Sequence, residues 1–154
     1  MRLIDTHTHL DFADFDADRP RLLANAASRG VERMVVLGVY QDNFQRVWDL
    51  ACANEGVYAA LGLHPIYLEQ HLPEHLAQLR DWLERLRGNP RLCAVGEFGL
   101  DFYLPELDPT RQQARAVGVE IGEVEVGVGV DQAHAQALAI RCLKVRPMAC
   151  TPGS

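Results

Sequence analysis

Leu3-Ile4-Asp5-Thr6-His7-Thr8-His9 opens the chain with a short apolar run that passes straight into a polar, histidine-bearing cluster. Such a run reads as a β-strand whose functional end is exposed. The pattern returns twice. Val57 to Leu61 leads into Gly62-Leu63-His64-Pro65, and Leu92 to Val95 leads into Gly96-Glu97-Phe98-Gly99-Leu100-Asp101. A further strand, Val31 to Val39, contains the continuous run Met34-Val35-Val36-Leu37. The four strand starts are 28, 26 and 35 residues apart, close to the roughly thirty that one strand-helix-strand repeat consumes. Parallel strands covered on both faces are therefore expected.

The intervening stretches carry helix signals. Asp18 is a candidate cap for a helix with Pro20 in its first turn, running through Leu22, Leu23 and Ala26 to Gly30. Asp42 is the candidate cap of the next, with Phe44, Val47, Trp48, Leu50 and Ala51 on its apolar side and Gly56 beyond its end. Pro73 suits an early helix position, and Leu76, Leu79, Leu83 and Leu86 recur at helical spacing up to Gly88. Four such units are used by residue 113. A complete (β/α)8 barrel needs about 250 residues, so the chain can hold about half of one, unless the sheet is open and doubly wound.

With 154 residues, 48% of them apolar, the chain has enough material for one domain and is not a disordered or disulfide-dense sequence. A net charge of −6 excludes a global basic footprint for phosphate backbones, so any nucleic-acid role must come from a local site. Cys52, Cys93, Cys142 and Cys150 lack zinc-knuckle or C-x-x-C spacing, which points to ordinary buried thiols in a reducing compartment. No apolar run approaches about 18 residues, so a cytoplasmic protein with no membrane partner is expected. All eleven aromatic residues lie between Phe12 and Tyr103. From Ala114 onward the chain is rich in Ala, Val and Gly with no large anchor, so the expected division is a domain at 1–113 and an atypical tail at 114–154. The tail's alternating valines are interrupted by glycines, Ala133 to Leu143 is its one candidate helix, and poor packing or mobility is expected throughout.

The chemistry lies in the strand-end clusters, since ligands bind at that end of parallel α/β folds. His7 and His9, two apart, leave a strand on the same face and can chelate one ion. Together with Glu97 they form a nitrogen and oxygen set suited to Zn, Mn or a similar divalent ion. An isolated His-x-His is more often a structural pair, and the accompanying clusters reverse that balance. His64 either meets a phosphate as a proton donor or hydrogen-bond partner, or braces the turn before Pro65. Asp101 either orients a ligand or caps the next segment. His71 and His75 flank Pro73 and read as solvated helix residues, and Gly127-Val128-Gly129 lacks the context of a phosphate loop.

Ile4-Asp5-Thr6-His7-Thr8-His9-Leu10-Asp11, Gly62-Leu63-His64-Pro65 and Gly96-Glu97-Phe98-Gly99-Leu100-Asp101 together resemble the TatD family of metal-dependent hydrolases, deoxyribonucleases with an amidohydrolase-type barrel. The resemblance spans residues 1 to about 113. It implies metal ligands His7, His9 and Glu97, with Glu97 bridging two divalent ions (Mg, Mn or Zn) and Glu97 and His64 in the catalytic role. DNA or another phosphodiester would be the substrate. The family pattern continues with a histidine in an H-x-R motif, another histidine and a late aspartate. His134 has no arginine two places on, and Asp131 lacks the strand context, so neither is matched to them. The tail's composition, with 14 Arg against one Lys in the whole chain, fits a reading frame shifted near Gln113 in GC-rich DNA better than a new C-terminal half. The expectation is a truncated and impaired hydrolase. The alternative is a non-catalytic metal-binding or oligomerising module that self-associates through an exposed barrel edge.

Overall fold

The computed structural model describes residues 1–100 and the strand at 137–142. In chain order it comprises β1 (Leu3–Thr8), α1 (Arg19–Ser28), β2 (Val31–Gly38), α2 (Phe44–Ala53), β3 (Val57–Leu61), α3 (Glu74–Arg85), β4 (Leu92–Leu100) and β5 (Ala137–Cys142). Short 3-10 turns at Ala13–Phe15, Gln41–Asn43 and Pro65–Gln70 lie between them. The first four strands are parallel and paired in the order β1-β2-β3-β4.

That order bears out the half-barrel implied by the resemblance, over the doubly wound sheet that periodicity alone left open. A doubly wound sheet reverses its strand order and places helices on both faces. Here no reversal occurs, and residues of α2 and α3 join one cluster with Val36, Val57, Ala59, Leu61 and Val95 of the strands. Leu23 of α1 packs partly against the same cluster. On the other face lies a small cluster of Leu37, Ala60 and Ala94, flanked by Val35 and Cys93. Helices on one face and a cluster made of strand side chains on the other make a curled half-barrel. The unbroken apolar runs of β2 and β3 follow from the same geometry, because both faces of each strand are covered.

Several local expectations are corrected. Asp18 stands at the N-cap of α1, but its carboxylate accepts from Arg21 and makes no capping bond. Asp42 lies within the 3-10 turn, and Asn43 occupies the N-cap of α2. The Asn43 Oδ1 atom accepts from the Val39 amide at 3.2 Å, so the turn closes onto the end of β2 and delays the helix. Cys52 is exposed and Cys93 half-buried, where burial was expected. Residues 137–142 form a strand antiparallel to β4, not part of a helix. The open backbone groups along β4 outweigh the modest helix preference of an alanine-rich segment. β5 adds no parallel βα unit. Asp101, Asp131 and His134, and the remaining tail expectations, lie outside the described residues.

Candidate metal centre

β1 and β4 both run further than their apolar residues suggest, and this extension builds the site. His7 lies within β1, its amide donating to the Asp5 carboxylate at 3.1 Å, and His9 follows the strand directly. Glu97 lies within β4, where its side chain is 2% exposed. The Nε2 atoms of His7 and His9 are 3.3 Å apart. His7 Nε2 is 3.5 Å from Glu97 Oε1, and His9 Nε2 is 3.7 Å from Oε2. Donors held at about 2.0–2.2 Å in a tetrahedral zinc site stand roughly 3.4 Å from one another. The three side chains already have nearly that spacing, so they fit a common divalent ion.

Burial is the principal cause pushing the Glu97 carboxyl above the usual carboxylate range, with His7 acting against it. Among the described residues its ion-pair partners are His7, His9 and His64, and no lysine or arginine is among them. A buried carboxylate facing imidazoles is costly unless a cation or a proton joins them. The backbone of β4 is pressed closely against β3 here. A Cβ on Gly62 would lie 2.5 Å from both the Glu97 carbonyl oxygen and the Gly96 carbonyl carbon, so only glycine fits.

His64 completes the group, its Nε2 lying 3.8 Å from Glu97 Oε1. The Ile66 amide donates to His64 Nδ1 at 3.0 Å. Nδ1 therefore carries no proton, and the neutral ring bears its hydrogen on Nε2, facing the centre. The structure shows the bracing of the turn through Nδ1 and leaves Nε2 toward Glu97, the side on which a phosphate contact was expected. His71, expected to be solvated, is 2% exposed. Its Nε2 donates to the His64 carbonyl at 2.8 Å, so a histidine taken for surface instead secures the loop. His75 sits half-buried at the start of α3, its Nδ1 accepting from the Leu72 amide.

Asp11 was given no role by sequence reasoning. It is buried, accepts at Oδ2 from Asn43 at 2.9 Å, and accepts at its carbonyl from Arg46. It thereby ties the end of β1 to the start of α2. Its place at the end of the Ile4 to Asp11 motif was the only signal.

The sequence model of the family TatD related DNase matches residues 4–118. The chain belongs to the TatD family. It is 44% identical over 112 residues to the uncharacterized metal-dependent hydrolase YjjV of Escherichia coli K12, covering 73% of this chain and 42% of YjjV. A crystal structure of YjjV superposes with a TM-score of 0.71 at 43% identity, over 76% of this chain and 44% of that one. The uncharacterized metal-dependent hydrolase YcfH of E. coli K12 is 32% identical over 147 residues, 91% of this chain and 53% of YcfH. That share reaches past residue 118, into the stretch expected to be unlike the TatD pattern. The putative deoxyribonuclease tatdn3-B of Xenopus laevis is 33% identical over 65% of this chain and 41% of its own length. The chain thus spans about half the length, or less, of these relatives.

Proposed function

We propose that this chain carries part of the site of a metal-dependent hydrolase acting on phosphodiester bonds in DNA, with His7, His9 and Glu97 as metal ligands and Glu97 and His64 in the catalytic role. The observation that most supports this reading is the meeting of His7, His9 and Glu97 at metal-ligand spacing. They meet at the strand ends where barrel enzymes bind their substrates. The relatives' names supply the class, a metal-dependent hydrolase in YjjV and a putative deoxyribonuclease in tatdn3-B.

A divalent ion, Mg, Mn or Zn, would supply positive potential for a phosphate and a more acidic water at this place. A local positive charge also answers the chain's net charge of −6. The protein's part is to hold the donors. His7 and His9 offer Nε2 lone pairs, and Glu97 offers a carboxylate shielded from solvent. His64 presents an Nε2–H donor to a phosphate oxygen, and His71 keeps its loop in place. A second ion bridged by Glu97 would need ligands beyond the described residues. Calorimetric titration of this chain with Zn or Mn is accordingly expected to give at most one site, strongly weakened by His7→Ala or His9→Ala. Two tight sites in the monomer would overturn that expectation.

Assay of the purified chain against DNA and a small phosphodiester, with Mg, Mn and Zn in turn, tests the activity. Metal-dependent cleavage abolished by Glu97→Gln is the expected result for a competent site. Metal binding without cleavage under any ion would favour the second reading, a non-catalytic metal-binding or oligomerising module. The observation favouring that module is β1, whose six residues are all exposed or half-buried. The cysteine spacing, without a C-x-x-C or zinc-knuckle pattern, supports the proposal of a reducing, cytoplasmic setting.

A further inference from the structure

The turn that follows β1 carries two buried polar atoms with no hydrogen-bond partner among the described residues, His9 Nδ1 and Asp11 Oδ1. Enclosed polar atoms are costly to leave unmet. One of these is a ring nitrogen and the other a carboxylate oxygen, a donor and an acceptor that suit each other. We propose that Asp11 is a positioning residue for His9, its Oδ1 accepting from the Nδ1–H and so leaving the Nε2 lone pair free for a metal ion. The inference rests on the reading of His9 as a metal ligand and adds the residue that prepares it.

The backbone brings the two side chains to one place. The Phe12 amide donates to the His9 carbonyl at 3.1 Å, closing a turn that contains both residues. Arg19 Nε donates to the Leu10 carbonyl and Arg46 Nε to the Asp11 carbonyl, so the turn is clamped from α1 and from α2. Phe12 lies against the face of the His9 ring, with centroids 5.2 Å apart and 19° between the planes, which leaves the ring edge for polar partners. On that edge Nε2 stands 3.3 Å from His7 Nε2 and 3.7 Å from Glu97 Oε2. Nδ1 is left for a partner outside the metal centre. Burial pushes the Asp11 carboxyl above the usual carboxylate range, while the Asn43 hydrogen bond and the neighbouring His9 ring act against it.

Asn43 fixes which oxygen of Asp11 is free. Its Oδ1 accepts from the amides of Val39 at 3.2 Å and Tyr40 at 3.4 Å, so the other end of the side chain is the NH2 group. That group donates to Asp11 Oδ2 at 2.9 Å. Asp11 Oδ1 remains for His9. Contacts then run from the end of β2 through Asn43 and Asp11 to a ligand at the end of β1. A histidine that binds metal through one nitrogen carries its hydrogen on the other, and a carboxylate placed there fixes both tautomer and ring orientation. An amide in its place reverses the demand. In Asp11→Asn the single side-chain oxygen is required by Asn43, so the new NH2 group faces His9 and can only donate. His9 then accepts at Nδ1 and carries its hydrogen on Nε2, where it blocks an ion.

The test is the ring tautomer of His9, read by long-range proton-nitrogen correlation NMR on the full chain in EDTA at about pH 8, above the usual histidine range. His64, whose Nδ1 accepts from the Ile66 amide, supplies an Nε2–H reference in the same spectrum. His9 is expected as the Nδ1–H form in the unaltered chain and as the Nε2–H form in Asp11→Asn, with His64 unchanged in both. Zn should bind Asp11→Asn about 10- to 100-fold more weakly, the usual effect of disturbing a ligand's own partner. A purely structural Asp11 would lower the urea midpoint and leave the His9 tautomer as it was. An Nε2–H form of His9 in the unaltered chain overturns the proposal without any variant, so misfolding of Asp11→Asn cannot protect it. A retained Nδ1–H form, or an unchanged Zn affinity, in folded Asp11→Asn overturns it equally. Because the spectra are taken without metal, the two readings fail separately. An unaltered chain with the expected tautomers that bound no Zn would refute His9 as a ligand and leave its pairing with Asp11 standing.

Discussion

Asp16 accepts from two guanidinium groups, those of Arg19 and Arg46, and so joins the loop after β1 to both α1 and α2. Arg19 also donates through Nε to the Leu10 carbonyl at 2.6 Å, which anchors the chain just beyond His9. The hydrogen bond from Arg19, aided by both positive charges, holds the Asp16 carboxyl below its ordinary value. A depressed folded-state value means that the stabilisation is present above the unfolded carboxylate pKa, near 4, and is lost as pH falls through the lower folded value. Asp16→Asn should therefore lower the urea midpoint modestly at pH 7, and the difference from the unaltered chain should vanish in strong acid. The modest size follows from exposure, since solvent screens such pairs. A difference that persisted at low pH would show that Asp16 acts through packing. His71 teaches a related lesson about single residues: its spacing from His75 looked like a helix surface, and only the fold of the Pro65–Gln70 turn buries it.

Among the elements, α2 and α3 are the most legible. Phe44, Val47 and Ala51 are buried on one side of α2, and Leu79 and Leu83 on one side of α3, as their spacing predicts. The limits of β1 and β4 were less legible, because the residues that extend them are polar or glycine and are kept in the sheet by neighbouring strands. The close approach of β3 to β4 at Gly62 is likewise a tertiary matter. Gly62→Ala would force the backbone at Gly96 and Glu97 to move, at a cost of about 1–3 kcal/mol for an overpacked site. We expect a lower unfolding midpoint and a weakened Zn or Mn titration together. An unchanged metal affinity in a folded Gly62→Ala chain would show that Glu97 does not depend on this contact.

At the scale of the molecule, the two edges of the parallel sheet differ. β4 is covered by antiparallel β5, while β1 has β2 on one side and leaves Leu3 and Ile4 36% and 60% exposed. An edge with no strand beside it among the described residues, and with exposed apolar residues, favours pairing with another chain. Light scattering coupled to size-exclusion chromatography should find a concentration-dependent dimer, and Ile4→Lys should restore the monomer while leaving metal titration unchanged. A monomer at every concentration would remove the oligomerising reading.

What the sequence determined by itself was the parallel βα succession, the helix faces and the candidate ligands. Each depends on local periodicity or on short motifs such as His7-Thr8-His9 and Gly96-Glu97. Periodicity alone left a half-barrel and a doubly wound sheet open; the strand-end motifs, through the resemblance, implied the half-barrel, and the strand order, which depends on how the helices pack and not on any one element, bears it out. The antiparallel addition of β5, the burial of His71 and the Nε2–H form of His64 were decided only in the tertiary structure. Each is set by partners distant in the chain or by the turn of the backbone, and residue type and spacing carry no record of them.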